Sequence, residues 1–570
     1  MSLNRCKRAT LGKGFGPNGF AVAALLVLYA ALTQAAAAAG TPEVDPQRLL
    51  GHIQTLASDE FEGRSPGTVG EDRSIAYITE QFKAIGLEPG NPDGSYLQEV
   101  PLVGIEGKAT MSLTSGGRPV AMEEKRDFVA STARVAPRIS LTDSPLVFVG
   151  YGVQAKEYKW DDYKGLDAHG KTLVMLINDP PIEDPLHPGQ LDPKMFKGKA
   201  MTYYGRWTYK YEIASKLGAA GVLIVHETEP ASYDWSVVVH SWSGEAFSLA
   251  DSSGNADRVA VQGWITLEKA KELFAQAGQD FDALKAQART REFKPVALNA
   301  TVSVNIENKL REVRSHNVVG RLVGSDPVLR QQWILYTAHW DHFGRHSGAE
   351  GTQVFRGAVD NASGVGGVIE IARSFVHTRP RPKRSILFMA VTAEEQGLLG
   401  STYYAEHPLY PLNQTLADIN IDVVGTWGRT RDVQVVGFGE NTLEDDLAQV
   451  LKSEHRVLVP DQTPEKGSYF RSDQFSFARV GVPGMDLKAG IDVLGKPPGW
   501  GQSQYEQYER ERYHSPADRV YPDWDLSGAA QDMTDLYQVG LALSEAPRWP
   551  RWRADSEFRA IREVSLAPAH

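Results

Sequence analysis

The sequence predicts an α/β protein: a mixed, largely parallel sheet flanked by helices, with a mostly-β segment inserted into it. Three observations carry this reading. Beyond Asn317, strand-like apolar runs alternate with helical ones, the pattern of a parallel sheet with helices on its faces. From about Leu146 to Ala300 the texture changes to short apolar runs between loops rich in Pro, Gly and Asp, as in a separate unit. The length of 570 residues suits three or four domains at about 150 residues each.

The chain opens with Arg5, Lys7, Arg8 and Lys13, then the apolar run AVAALLVLYAAL at 21–32, then an alanine tract at 35–39 and Gly40. This order reads as a signal peptide over 1–40, and the apolar run is short for a membrane span of about 20 residues. The single cysteine, Cys6, lies in this segment, so the processed chain would have no disulfide and no thiol nucleophile. An exported bacterial protein, periplasmic or secreted, is expected, with no stable membrane association once the signal is cleaved. The chain carries 60 Lys and Arg against 71 Asp and Glu, a net charge of −11, and it loses four positive charges with the leader. Such acidity argues against nucleic-acid binding, which wants a basic face. Nothing in the sequence fixes an oligomeric state.

Residues 41–143 and 298–570 are read as one discontinuous domain and 144–297 as the insertion. From Pro46 to about Ile105 helices are expected. Leu49, Leu50, Ile53 and Leu56 form one stripe, and Ile75, Ile78, Phe82 and Ile85 a second, at helical spacing. Gly86 ends the second helix and GNPDGS follows as a loop. In the insertion, 147–153, 172–178 and 220–226 read as strands and 211–218 as a helix. Its aromatics, including Tyr203, Tyr204, Trp207, Tyr209 and Tyr211, read as packing. Further on, 333–339, 386–392, 419–425 and 480–487 read as strands. Residues 364–375 read as a helix with Ser363 as N-cap. The tail PRWPRWRAD after Ala546 is expected to pack on the surface.

The chemistry-bearing residues cluster at the ends of those strands, where open α/β sheets bind ligands. Strand 333–338 runs into His339-Trp340-Asp341-His342, strand 386–392 into Glu394-Glu395, and the strand near Ile419 contains Asp422. Asp360-Asn361 precedes the 364–375 helix, and Tyr513-His514 comes much later. Imidazoles and carboxylates together make a mixed N/O site suited to zinc, manganese or cobalt, and one shared carboxylate would allow two ions acting on one water. Two dications against Asp360, Glu395 and Asp422 leave one positive charge, which favours a bound hydroxide. Neighbouring Glu394 and Glu395 point opposite ways in an extended segment, so one can ligate while the other serves as general base. Asp341, two residues after His339, would lie on the same side of a strand and accept the ring N–H.

In order along the chain, TAHWDHFG (337–344), GAVDNASGVGG (357–367), TAEEQGLLGS (392–401), NIDVVG (420–425) and YHSPADRV (513–520) resemble the co-catalytic zinc exopeptidase family of bacterial secreted aminopeptidases, glutamate carboxypeptidase and the transferrin receptor. Pieces at 163–178 and 214–227 resemble the protease-associated domain inserted in many members. The resemblance implies two zinc ions: one bound by His339 and Asp422, the other by Glu395 and His514, with Asp360 bridging. It implies Glu394 as general base, Asp341 orienting His339, and Tyr513 polarising the scissile carbonyl. Many members have SDH where this chain has Ser472-Asp473-Gln474. The expected activity is hydrolysis of the amino-terminal peptide bond of peptides. A carboxypeptidase or other amide hydrolase on the same site is the alternative, with Arg429, Arg431, Arg471 and Lys488 as candidate cations. An inactive binding protein would lack ligands that this chain retains.

Overall fold

The computed structural model describes residues 43–348 and 351–567. The expected signal peptide and Cys6 lie outside them. Among the described residues no helix is long and apolar enough to cross a membrane.

The two amino-terminal helices form where the stripes predict. Pro46–Leu56 starts on Asp45, whose carboxylate accepts the Gln47 amide, and buries Leu49, Ile53 and Leu56. Val69–Ile85 is capped by Thr68 and buries Ile78, Phe82 and Ile85. It stops at Gly86, whose φ of 91° suits glycine. The expected helical texture does not reach Ile105: Leu97–Ser115 is one long strand. Its β-branched residues and its alternating exposure outweigh the short apolar spacings that suggested helix.

At the centre of the sheet, Thr415–Asn420, Trp333–His339 and Ser385–Val391 are parallel neighbours. Gly484–Ala489 continues the parallel set beside Thr415–Asn420. The helices Ser363–His377 and Ser527–Glu545 pack with Pro46–Leu56 around a core that includes Ile334, Tyr336, Ile369, Phe375 and Leu536. The strand 419–425 was expected to contain Asp422, but it ends at Asn420. Asp422 therefore stands in the loop beyond the strand end.

A 27-residue strand, Val296–Leu322, carries the sheet into the second part of the molecule. Its carboxyl end pairs with Ser385–Val391 and its amino end with Arg138–Phe148. There Arg138–Phe148, Thr172–Leu176, Gly221–His226 and Val261–Thr266 run parallel in that order. Helix Trp207–Lys216 lies between the second and third of them, Trp235–Ser241 between the third and fourth, and Leu267–Gln276 follows the fourth, so a region expected as mostly β is α/β in texture. Positions 144 and 297 fall inside strands, and the second core already includes Ala109, Met111 and Leu113. Tyr203 packs on Phe470 and Phe475, at 6.0 and 4.8 Å between ring centroids. Nearby, Lys197 pairs with Glu440 and Glu557. The tail does more than cover a surface: Trp552 is buried and donates to the Gly481 carbonyl.

Two positions in the main core invite tests. The Tyr336 hydroxyl donates to the Leu536 carbonyl at 2.7 Å, directly above Gly540, where a Cβ would collide with it. Gly540→Ala should lower stability by about 1–3 kcal/mol despite the better helix propensity of alanine, as read by denaturant unfolding. Glu370 is fully buried, with Arg48 at 2.8 Å, Arg373 at 2.9 Å and His52 at 3.3 Å. Burial pushes its carboxyl up, but these partners overcome that and hold it down at about 2. A carboxyl lower in the folded than in the unfolded chain stabilises above the unfolded value of about 4.3, and the contribution is lost as pH falls toward 2. Glu370→Gln should cost on the order of 3 kcal/mol at pH 7. The gap from the parent should narrow between pH 5 and pH 2 in a stability titration.

Candidate active site

Six side chains from five segments meet beyond the carboxyl ends of the central strands. His339 is the last residue of Trp333–His339. Glu394 and Glu395 follow Ser385–Val391, in a turn that begins at Ala393 with φ 54°. Asp422 follows Thr415–Asn420 by two residues. Asp360 lies in the segment leading into Ser363–His377. His514 follows the Trp500–Glu511 helix, with φ 52°.

Local contacts fix these segments to one another. Ser363, expected as N-cap, is the first helical residue and donates back to the Val359 carbonyl at 2.6 Å. Asn361 does the capping: its Oδ1 accepts the Gly364 amide, and its Nδ2 donates to the Ile421 carbonyl, both at 2.8 Å. One side chain thus ties the Asp360 loop to the Asp422 loop. Gly364 sits so close to Asn361 and the Ile421 carbonyl that a Cβ would not fit.

The Asp360 carboxylate is divided between the two histidines. Its Oδ1 is 3.2 Å from His339 Nε2, and its Oδ2 is 3.2 Å from His514 Nε2. His339 Nε2 also lies 3.3 Å from Asp422 Oδ1, and His514 Nε2 lies 3.2 Å from Glu395 Oε2. Each ring nitrogen therefore faces two carboxylates, although it can carry only one proton. Ligands about 2.0–2.1 Å from a tetrahedral zinc are about 3.3 Å apart, so the spacing fits an ion between each histidine and its pair of oxygens. The donors are hard oxygens and imidazoles, which also suits zinc.

The electrostatics point the same way. Burial raises the Glu394 carboxyl well above its usual range; His339 relieves it in part, while Asp422, Glu395 and Asp473 add to the rise. Burial and then Asp360 do the same to Glu395. Burial pulls His339 down, but Glu394, Asp360 and Asp422 more than reverse this and hold it well above normal. The protein has gathered negative charge that its own cations do not balance, which is the setting for bound cations.

Glu394 Oε2 stands back at 3.9 Å from His339 Nε2, while Glu395 turns the other way, to His514 and His342. Asp341 works differently from expectation. The His339 Nδ1 is 3.2 Å from the Asp341 backbone carbonyl but 3.7 Å from its carboxylate. The strand ends at His339, so the alternation that put both side chains on one side does not continue. The Asp341 carboxylate instead accepts the amides of Glu394 at 3.0 Å and Glu395 at 3.4 Å. Tyr513 stacks on the His514 ring, with centroids 3.7 Å apart. It lines a cleft together with Asp422, Trp427, Arg471, Asp486, Lys488 and Tyr505.

Three residues were not singled out from sequence. The His342 Nδ1–H donates to Glu395 Oε1 at 2.5 Å, and burial pushes the ring down to about 3, against the pull of Asp360. Asp518 accepts the amides of Val359 and Asp360, both at 3.0 Å. Arg64 is buried and donates to the carbonyls of Leu56, Trp340, Arg356 and Gly357. His342 and Asp518 lie within the motifs read above and could have been weighed there. Arg64 carries no sequence signal. Gln474 is buried, bonded to Asn420 and to the Tyr469 carbonyl, and does not line the cleft. Of the candidate cations, Arg471 and Lys488 line it, whereas Arg431 pairs with Asp492 at the surface and Arg429 is not in the lining.

Residues 317–537 match the family profile of peptidase family M28. Aminopeptidase YwaD of Bacillus subtilis (strain 168) is 30% identical over 470 residues, which cover 81% of this chain and 77% of that protein. Aminopeptidase NAALADL1 of Mus musculus is 35% identical over 127 residues, covering 21% of this chain and only 15% of that protein. Among solved structures, the aminopeptidase from Aneurinibacillus sp. strain AM-1 aligns over 89% of this chain and 96% of its own, at 20% identity and a TM-score of 0.46. With the match to YwaD running through both parts of the molecule, the chain belongs to peptidase family M28, within the co-catalytic zinc exopeptidases that its motifs resemble.

Proposed function

We propose that the chain is a zinc aminopeptidase that hydrolyses the amino-terminal peptide bond of peptides. The observation that carries this is the Asp360 carboxylate, shared at 3.2 Å between two histidines that each face one further carboxylate. His339 with Asp422, and His514 with Glu395, would hold one zinc each, and Asp360 would bridge. Zinc bound there would supply Lewis-acid activation of water and of the scissile carbonyl.

The chain's own groups do the rest. Glu394 faces the centre without being drawn into either histidine pair, so it is free to take a proton from the attacking water and return it to the leaving amine. Its raised affinity for a proton, which begins with burial, suits that exchange. Asp341 fixes the backbone of the Glu394–Glu395 turn and, through its carbonyl, the ring of His339. Tyr513, stacked on His514, would steady the developing oxyanion through its hydroxyl. The identity to YwaD, named an aminopeptidase, supports the amino-terminal reading. Arg471 and Lys488 in the cleft favour carboxy-terminal hydrolysis as the second reading. Residues 1–40 are proposed as a signal for export from a bacterial cell, and the region expected at 144–297 as the protease-associated insertion.

Glu394→Ala should lower kcat by at least about a hundredfold while bound zinc, read by elemental analysis, stays at the parent level. Turnover like the parent's would remove Glu394 from the chemistry. The parent should release the first residue of free peptides and spare amino-acetylated ones, and a chelator should stop it. Cleavage of the acetylated peptides alone would favour the carboxypeptidase reading.

A further inference from the structure

The Gly484–Ala489 strand sorts its side chains by the two-residue period of a strand. Met485 and Leu487 enter the main core, together with Val433 and Val435 of the paired Asp432–Val436 strand. Asp486, Lys488 and Gln434 face the other way and line the cleft. Asp486 and Gln434 are buried and Lys488 half-buried, a polar floor that folding alone does not require.

Asp486 is the anomalous member. It is 4% exposed, and its Oδ1 is buried with no hydrogen-bond partner. Its neighbour is Asp422, whose backbone N–H and carboxylate both bear on it. Lys488 is drawn off to the Tyr505 hydroxyl, 3.3 Å from its Nζ, and sits over that ring. A buried carboxylate oxygen without a donor is destabilising, and a second carboxylate beside it adds repulsion. A cationic donor arriving in the cleft relieves both.

We propose that Asp486 anchors the α-ammonium group of the substrate, Oδ1 accepting one of its N–H groups. The proposal rests on the aminopeptidase reading. A carbonyl held at the Asp422 end of the site brings its own amino group within one residue of that point, beside Asp486. The side chain of the same residue then extends along the cleft toward Lys488 and Gln434. An acetylated terminus offers a neutral amide and added bulk, so Asp486 turns a general amide site into one that reads a free amino end.

The test compares leucine hydroxamate with its des-amino counterpart, 4-methylpentanoyl hydroxamate, as inhibitors of the zinc-loaded full chain. The parent should bind the amino compound at least about tenfold more tightly, as for a charge-assisted hydrogen bond. In Asp486→Asn the two should bind within about threefold of each other, with zinc content and melting temperature near the parent's. Asp486→Ser serves as a second neutral variant should the amide disturb Asp422. A variant that keeps the parent's ratio, or weakens both inhibitors equally, overturns the proposal and leaves Asp486 a support for Asp422. If the parent itself neither prefers the amino compound nor cleaves free peptides, the aminopeptidase reading fails and the proposal falls with it.

Discussion

A carboxylate with one oxygen toward each of two histidines is the constraint around which the rest is arranged. Asp360 spans from His339 to His514, and Asp422 and Glu395 complete the two sides. To hold such a group in place, the protein aligns three parallel strands so that their ends release His339, Glu394–Glu395 and Asp422 on one level. It brings in Asp360 and His514 from loops pinned by Asn361 and Asp518. The cost is a buried concentration of negative charge that the histidines and Arg64 offset only in part. The fold is built to keep an imbalance that bound metal resolves.

The supports around the site are mostly backbone groups. Arg64 alone gathers four carbonyls: Leu56 at the end of the first helix, Trp340 just after His339, and Arg356 and Gly357 just before Asp360. Its planar fork of donors can hold several carbonyls at once, which a lysine could not do. Asp341 and Asp518 act in the opposite sense, as acceptors for the amides of Glu394, Glu395, Val359 and Asp360. These backbone groups are thus matched with side-chain partners, and the ligand side chains inherit their positions from that matching. The second part of the molecule is not a loose appendage. The 27-residue strand runs from one core into the other, and Tyr203 and Lys197 pack or pair against the peptidase body.

Much of this was legible in the sequence because strand ends announce themselves. WILYTAH is a strand over its full predicted span, and the residues after it, after Ser385–Val391 and after Thr415–Asn420 were read as a convergent N/O cluster. What sequence missed has physical reasons. The alternation that placed Asp341 beside the His339 ring fails because the strand ends at His339. Asp422 was assigned to a strand because IDVVG is as apolar as INI, although pairing stops at Asn420. Ser363 is a good cap by type, but Asn361 reaches the Gly364 amide first. Short apolar spacings do not distinguish the two periods, so the sequence suggests helix as far as Ile105, where Leu97–Ser115 is a strand. Arg64 could not be found at all, since its role depends mainly on three carbonyls nearly 300 residues away.

The most direct measurement is anomalous X-ray scattering at the zinc edge from crystals of the full chain. Two zinc peaks are expected to flank the Asp360 carboxylate, about 3.5–4 Å apart, one beside His339 and Asp422 and the other beside His514 and Glu395. A single peak, or two peaks that leave Asp360 between them unbound, would contradict that expectation.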